Sequence, residues 1–128
     1  MYQQNEILLT ILDDTIMTPT VNLNESYNIT KKQFNDDIIL ISDFEDDIYT
    51  ITASHINAGE IARATFSHSK KIGGWYGNDV NVTSKYRRIG LMTNIYNYAE
   101  ELIGENLKQS LSLSKNMKKF WAKRMQTN

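Results

Sequence analysis

Residues 82–104 read VTSKYRRIGLMTNIYNYAEELIG, and within them the pattern of the chain changes from that of a strand to that of a helix. The preceding residues 75–82, WYGNDVNV, are typical of a strand. From Gly90 to Gly104 the apolar side chains recur every three or four residues, which predicts an amphipathic helix that ends at Gly104. The fold is therefore predicted around a strand, a basic turn and a helix in direct succession.

The turn between the two elements holds Arg87, Arg88 and Gly90, and it holds no acidic residue. The first N–H groups of a helix lack intrahelical partners, and the helix dipole adds a partial positive charge there. Anions bind readily at such an end, and Gly90 has no Cβ to keep a ligand away. The turn is interpreted either as a phosphate site or as a solvated basic turn.

Three further strands are predicted upstream of this point. The second and third alternate in polarity and flank the turn residues Asn57, Ala58 and Gly59, so they are predicted to form a hairpin. Gly77 lies inside the last strand, where glycine indicates a bulge or the close approach of another group. The three upstream strands are residues 38–42, 47–56 and 60–69.

The two ends of the chain complete the expected order of elements. Residues 5–14 predict a short helix, and residues 18–30 are polar and irregular. Residues 107–114 predict a short strand and residues 115–125 a second helix. Along one side of that helix lie Met117, Phe120, Trp121 and Met125, and its lysines and Arg124 form a basic face. The order predicts a single α+β domain spanning residues 1–128.

Composition excludes several classes of protein. The chain has 128 residues with no cysteine, so disulfides and thiolate metal sites are excluded. Two histidines are too few for a metal cluster, and no metal is expected. No apolar run approaches the roughly 20 residues of a membrane span, so no membrane partner is expected. The N-terminal residues lack the pattern of a signal peptide, and a cytoplasmic location is the default expectation.

Charge is distributed unevenly along the chain. Residues 1–50 hold ten acidic and two basic side chains, whereas residues 51–128 hold five acidic and twelve basic ones. The second half favours an anionic ligand, while the acidic half either faces a cationic substrate or keeps the protein in solution. The net charge is −1 and no long basic run is present, so nucleic-acid binding is not expected.

Four stretches together resemble a known family. They are GWYG at 74–77, VTSKYRRIGLM at 82–92, YNYAEE at 96–101 and FWAKR at 120–124. The segment 82–124 resembles the core of the GNAT acyltransferase superfamily, and it is most similar to small phage-encoded members. The resemblance implies a mixed, mostly antiparallel sheet flanked by helices, with a shortened C-terminus, in the cytoplasm (that of the host if the chain is viral).

The resemblance also implies an activity and a cofactor. The activity is N-acyl transfer, with acetyl-CoA or another acyl-CoA as cofactor and an unidentified amine, a small molecule or a protein, as acceptor. The strand carrying Val80 and Val82 would part from its neighbour and bind the pantetheine arm, which Ser114 or Asn116 could also contact. The pyrophosphate would be held by the turn residues Arg87, Arg88, Ile89, Gly90, Leu91, Met92 and Thr93.

Transfer to an amine requires the amine to be neutral. Freeing the lone pair of a lysine-like amine at pH 7 costs roughly 4–5 kcal/mol, so a base is needed. Asp79 is the first candidate, and its alternative is a plain surface carboxylate. Tyr76, predicted on the opposite face of the same strand, would orient the substrate or simply pack. Tyr96 is interpreted as a core or rim aromatic that could still approach the thiol.

Three departures from the family pattern open an alternative. Met92 stands where the family prefers glycine or alanine, Ser84 stands where it has proline, and Trp121 stands where some members have a catalytic tyrosine. An indole N–H cannot supply a proton as a phenol does. The alternative is a non-catalytic protein of the same fold that acts through a protein partner. A shortened sheet would also leave an edge, which suggests a homodimer.

Overall fold

The computed structural model describes residues 29–126, which form one five-stranded antiparallel sheet and two helices. Each strand pairs with the next in chain order, so the sheet is a simple meander. A short 3₁₀ turn, Ser84–Tyr86, joins the last strand to the first helix. The strands are β1 (Ile29–Gln33), β2 (Ile38–Glu45), β3 (Ile48–His55), β4 (Gly59–Ser69) and β5 (Gly74–Val82), and the helices are α1 (Leu91–Ile103) and α2 (Lys115–Gln126).

The predicted α+β class and most of the predicted elements are confirmed. The four strands predicted between residues 38 and 82 and the two helices predicted after them are present. The strand predicted at 107–114 is wrong, because only Lys108 pairs, through one parallel bridge to Tyr76. The irregular stretch predicted at 18–30 is wrong at Ile29 and Thr30, where β1 begins. The helix predicted at 5–14 lies outside the described residues.

One face of the sheet carries the hydrophobic core. The strand register places Leu40 beside Ala53 and Ala62, and the next level holds Ile51 and Ala64. These side chains are buried, and the small alanines let a helix approach the sheet closely. The helix that covers them is α1, which buries Leu91, Ile95, Tyr96, Tyr98 and Ala99. Burying each large apolar side chain contributes roughly 1.5–3 kcal/mol.

The opposite face of the sheet is mixed, with the half-buried Ile39 and Ile41 beside polar side chains. Its side chains include Thr50 and Thr52 on β3 and Thr65 on β4, which the register places next to one another. Thr65 donates a hydrogen bond of 2.9 Å to Oδ1 of Asn78 on β5. Both helices described between residues 29 and 126 pack on the apolar face, so this second face is called the open face below.

A buried polar contact fixes β1 to the rest of the domain. Thr30 Oγ1 lies 2.6 Å from the hydroxyl of Tyr98 on α1, and it also bonds the hydroxyl of buried Ser42 on β2. At the next level Lys32 pairs with Glu101 at 2.8 Å. Because the other side chains of β1 are exposed, these contacts and the backbone ladder position the strand.

An ion pair between Glu100 and Arg124 joins α2 to α1. The nitrogen–oxygen distance is 2.7 Å, and the arginine side chain is only 8% exposed. The other carboxylate oxygen of Glu100 accepts the backbone N–H of Leu107 at 2.8 Å. The guanidinium carbon lies 5.5 Å from the centroid of Tyr96 and 5.8 Å from that of Trp121.

The buried stripe of α2 differs from the predicted one at its C-terminal end. Trp121 is buried, whereas Met125 is 58% exposed and lies off the core. Arg124 takes the inner position, because Glu100 and Asn97 on α1 supply partners for its guanidinium. Arg124 therefore does not belong to the basic face formed by the lysines.

Neither helix found between residues 29 and 126 combines the length and the apolar character that crossing a membrane requires.

We expect the substitution Arg124→Ala to lower the free energy of unfolding by about 3 kcal/mol, because it leaves the partly buried Glu100 without its cation. The matched control is Lys123→Ala on the exposed side of the same helix, which should change the stability by less than about 0.5 kcal/mol. Urea unfolding followed by circular dichroism measures both values. Equal effects of the two variants would contradict the assigned role of the ion pair.

Candidate functional site

The turn between β5 and α1 contains two residues in the left-handed region of the backbone map. Arg88 has φ 67° and Gly90 has φ 83°. Such a conformation is strained for arginine and normal for glycine, and it costs of order 1–3 kcal/mol for a side chain with a Cβ. Upstream, Thr83 N–H donates to the carbonyl of Ile61 at 2.9 Å and ties the start of the turn to β4. The turn is thus anchored and sharply bent.

The N-terminus of α1 is open in the manner the sequence predicts. Gly90 is the N-cap residue, no side chain of the described region caps it, and the first turn holds no acidic residue. The helical ladder begins with Asn94 N–H, which donates to the carbonyl of Gly90 at 3.1 Å. A Cβ at Gly90 would have nothing within 4 Å. The N–H groups of Leu91, Met92 and Thr93, at the positive end of the helix, therefore have no side-chain cap among residues 29–126.

The two arginines of the turn differ in their contacts. Arg87 Nε donates to the carbonyl of Val82 at 2.9 Å, so its side chain folds back along the edge of β5. Arg88 and Ile89 are exposed. Neither arginine has an acidic partner within residues 29–126. Met92 packs against the hydrophobic core, so its thioether group is accommodated there.

The outer edge of β5 is almost unpaired. Its inner edge pairs with β4, whereas on the outer side Lys108 N–H donates to the carbonyl of Trp75 at 2.8 Å in a single parallel bridge. No strand of the described region pairs with that side from Asn78 to Val82. Val80 and Val82 direct their side chains to the helix-bearing face, opposite Ala64 and Ala62. An extended ligand could therefore use this edge as a further strand would.

A bulge in β5 decides which face each candidate catalytic residue occupies. Asp79 lies opposite Thr65, but the next pair is Gly77 with Phe66, so Asn78 is an extra residue. Tyr76 lies opposite Ser67 and therefore shares the open face with Asp79. The prediction that they lie on opposite faces is wrong, because the extra residue reverses the alternation.

Asp79 lines a shallow cavity of about 170 Å³ that the sequence did not predict. Within it Arg63 pairs with Glu60 at 2.8 Å, and this hydrogen bond lowers the pKa of the Glu60 carboxyl. Asp79 has no ion pair among the residues that the structure describes. The lining residues are Glu60, Ile61, Ala62, Arg63, Asp79, Asn81 and Thr83, and they do not include the basic turn.

The start of α2 holds Ser114 and Asn116, the two residues that the resemblance implies for the pantetheine arm. The hydroxyl of Ser114 accepts the backbone N–H of Met117 at 3.2 Å and so caps the helix. Asn116 is exposed in the first helical turn. Trp121 is 6% exposed and packs in an aromatic cluster with Tyr96 and Phe120. Ser114 and Trp121 thus have structural surroundings, whereas the side chain of Asn116 bonds no residue between 29 and 126.

Tyr96, interpreted from the sequence as a core or rim aromatic that could approach the thiol, lies in the core. It is 1% exposed, and the rings of Phe66 and Phe120 lie with centroids 5.2 and 4.9 Å away. Its hydroxyl lies against Gly77, where an added Cβ would collide with it. The hydroxyl makes no hydrogen bond with any residue between 29 and 126. Burial raises the pKa of Tyr96 to about 12, so the phenol is neutral at pH 7.

Gly77 was the signal that could have located this contact. Both outcomes that a glycine within a strand indicates, a bulge and a close approach, occur around it. The sequence could not show which side chain approaches, because that depends on where α1 crosses the sheet.

The chain was compared with protein-family models, with curated proteins and with solved structures, and none of them matches. Between Ile29 and Gln126, no three acidic or histidine side chains are grouped so that they could hold a metal ion. The described residues thus provide three features for a reaction: an anion position at the start of α1, an outer edge of β5 that is unpaired from Asn78 to Val82, and the carboxylate of Asp79 on the open face.

We expect Gly77→Ala to lower the free energy of unfolding by about 1–3 kcal/mol, because the new methyl group meets the Tyr96 hydroxyl and ring. The loss should be smaller when the same change is made in a Tyr96→Phe background. Gly74→Ala is the control on the same strand, since its methyl group meets only the flexible side chain of Lys108. Chemical unfolding of the four variants measures the effect, and a loss that is unchanged in the Tyr96→Phe background would contradict the contact.

The stability of the domain should fall between about pH 10 and pH 12 through Tyr96. An unfolded tyrosine ionises near pH 10, whereas the folded phenol holds its proton to about pH 12, so the contribution present below pH 10 is lost as the pH rises. The expected loss is about 2–3 kcal/mol. Urea unfolding at several pH values should show a steeper decline for the wild type than for Tyr96→Phe; parallel curves would refute the assignment.

Proposed function

We propose that this protein is an acyl-CoA-dependent N-acyltransferase that transfers an acyl group, in the first instance acetyl, to an amine. The observation that supports this most is the start of α1. Among residues 29–126, no side chain caps its N–H groups and neither Arg87 nor Arg88 has an acidic partner. A Cβ built on Gly90 meets nothing within 4 Å. This combination suits a pyrophosphate, for which each charge-assisted hydrogen bond contributes roughly 1.5–3 kcal/mol.

The outer edge of β5 suits the remainder of the acyl donor. The pantetheine arm is extended and carries two amide groups, which can bond backbone groups as a neighbouring strand does. Val80 and Val82 bear the side chains beside this edge, and Arg87 already bonds the carbonyl of Val82 at its upper end. Of the two α2 residues implied by the resemblance, Asn116 is the one whose side chain is uncommitted.

The acceptor amine would approach from the open face. Asp79 there has no ion pair in the described region and lines the cavity near Asn81 and Thr83. As a carboxylate it would accept the proton of the amine directly or through water, which offsets part of the roughly 4–5 kcal/mol needed to free the lone pair. Tyr76 lies on the same face and would orient the amine.

A second candidate is a non-catalytic protein that binds the same donor or none and acts through a protein partner. The surroundings of Trp121 favour it, because this indole lies in the core at the position where some acyltransferases present a phenol. The unpaired edge of β5 would also accept a strand from another chain, including a second copy.

We expect acetyl-CoA to bind and the variant Arg88→Gly to bind it at least tenfold more weakly, because one charge-assisted contact is lost. Glycine is chosen since it keeps the left-handed backbone of Arg88 without strain. The control is Lys123→Ala, which removes the same charge from α2 and should leave the affinity unchanged. Isothermal titration calorimetry measures all three.

Two results would decide between the candidates. If the wild type gives neither heat nor a thermal shift with millimolar acetyl-CoA, acyl-CoA binding is refuted and with it the transferase proposal. If the protein binds acetyl-CoA but releases no free thiol with a broad panel of amines, the non-catalytic candidate is favoured.

A further inference from the structure

The hydroxyl of Tyr96 lies at one particular point of β5. It contacts Gly77, which directly follows Tyr76, the residue of the single bridge to Lys108. Gly77 is thus the place where β5 parts from the following segment. The Tyr96 hydroxyl has no hydrogen-bond partner among residues 29–126, and a buried donor left without one costs about 1–3 kcal/mol and is rare in folded proteins. The cost is explained if a ligand atom completes the hydrogen bond.

The pantetheine arm of the proposed acyl donor is about as long as the stretch of β5 from the basic turn to Gly77. From Val82 at the basic turn down to Gly77, the strand covers roughly 13–14 Å at the usual rise per residue, because the extra residue leaves only the four steps from Ala62 to Phe66 on β4. The pantetheine arm spans about thirteen bonds from phosphorus to sulfur, which is roughly 14–16 Å when extended, at peptide-like bond dimensions. An acyl donor whose pyrophosphate lay at the basic turn beside Val82 would therefore place its thioester near Gly77 and the bulge.

We infer that the Tyr96 hydroxyl donates a hydrogen bond to the thioester carbonyl oxygen of the bound acyl-CoA and is a catalytic residue of the transfer. The inference rests on the proposed function and adds to it a group that the resemblance does not imply. Because β5 separates the two faces of the sheet, Tyr96 acts from the helix-bearing side while Asp79 acts from the open face.

In the transfer, the lone pair of the neutral amine forms a bond to the carbonyl carbon, and the carbonyl π electrons move to the oxygen that Tyr96 contacts. Those electrons return as the carbon–sulfur bond breaks, and its electron pair leaves with sulfur. Asp79, having passed the first proton of the ammonium group to solvent, takes the second proton, which the nitrogen loses after the new bond forms. Solvent then protonates the thiolate of coenzyme A and takes the proton from Asp79. Tyr96 keeps its proton throughout, since a phenol with pKa about 12 remains a neutral donor at pH 7.

The direct test is the infrared carbonyl band of acetyl-CoA labelled with ¹³C at the thioester, measured free and bound to the full chain. We expect binding to the wild type to lower the frequency, since a hydrogen bond weakens the C=O bond. In Tyr96→Phe the bound frequency should return toward the free value, with a similar affinity for acetyl-CoA. Turnover should fall about 10²-fold with little change in KM for acetyl-CoA.

The matched control is Tyr98→Phe, which makes the same chemical change on the same helix. The Tyr98 hydroxyl bonds Thr30, so this variant should lose stability while leaving the carbonyl band and turnover unchanged. Tyr96→Phe, by contrast, removes a hydroxyl that bonds no residue between 29 and 126, and this variant should melt no lower than the wild type.

The outcomes separate the inference from the proposed function. Absence of acetyl-CoA binding overturns both. Binding with an unshifted carbonyl band, or with a shift that persists in Tyr96→Phe, overturns the role of Tyr96 alone. A shift that Tyr96→Phe abolishes supports the role even if no acceptor amine has yet been found.

Discussion

The contact between Glu100 and Arg124 holds together the part of the domain on which the candidate site depends. One carboxylate bonds the arginine of α2 and the N–H of Leu107, so it fixes a helix and the connecting segment to α1. That segment continues to Lys108, whose bridge to Tyr76 is the last pairing found on the outer side of β5 within the described residues. The arginine also lies over the ring of Tyr96. Loss of this ion pair would thus release α2, the bridge and the phenol together.

The sequence predicted those elements whose side chains carry a periodic signal. The apolar strands and the helix from Leu91 to Ile103 have such a signal, and each is present where it was expected. The strand ITKKQ has none, because its side chains are exposed and its position follows from backbone pairing with β2. The sequence also could not show that Arg124, and not Met125, lies on the inner side of α2. An inner arginine is favourable here only because Glu100 on α1 supplies a carboxylate.

The predictions for the candidate site also differ in whether local sequence rules were enough to make them. The open helix start at Gly90 followed from local rules of capping and charge, and the structure has it in that form. The shared face of Asp79 and Tyr76 depended on which residue of β5 was extra, and the position of Gly77 alone could not specify it. The Tyr96 hydroxyl was beyond local rules altogether, because its neighbours come from elements distant in the sequence.

The two edge strands of the described sheet differ in their lysine content. β1 carries Lys31 and Lys32, and lysines on a marginal strand discourage pairing with other chains. β5 from Asn78 to Val82 carries no lysine along its outer side. Within the described sheet, a further strand would therefore be added more readily beside β5 than beside β1. A copy that joined at β5 would present its own lysine-bearing strand at the far end, so such addition stops at a closed pair and does not continue into a fibre.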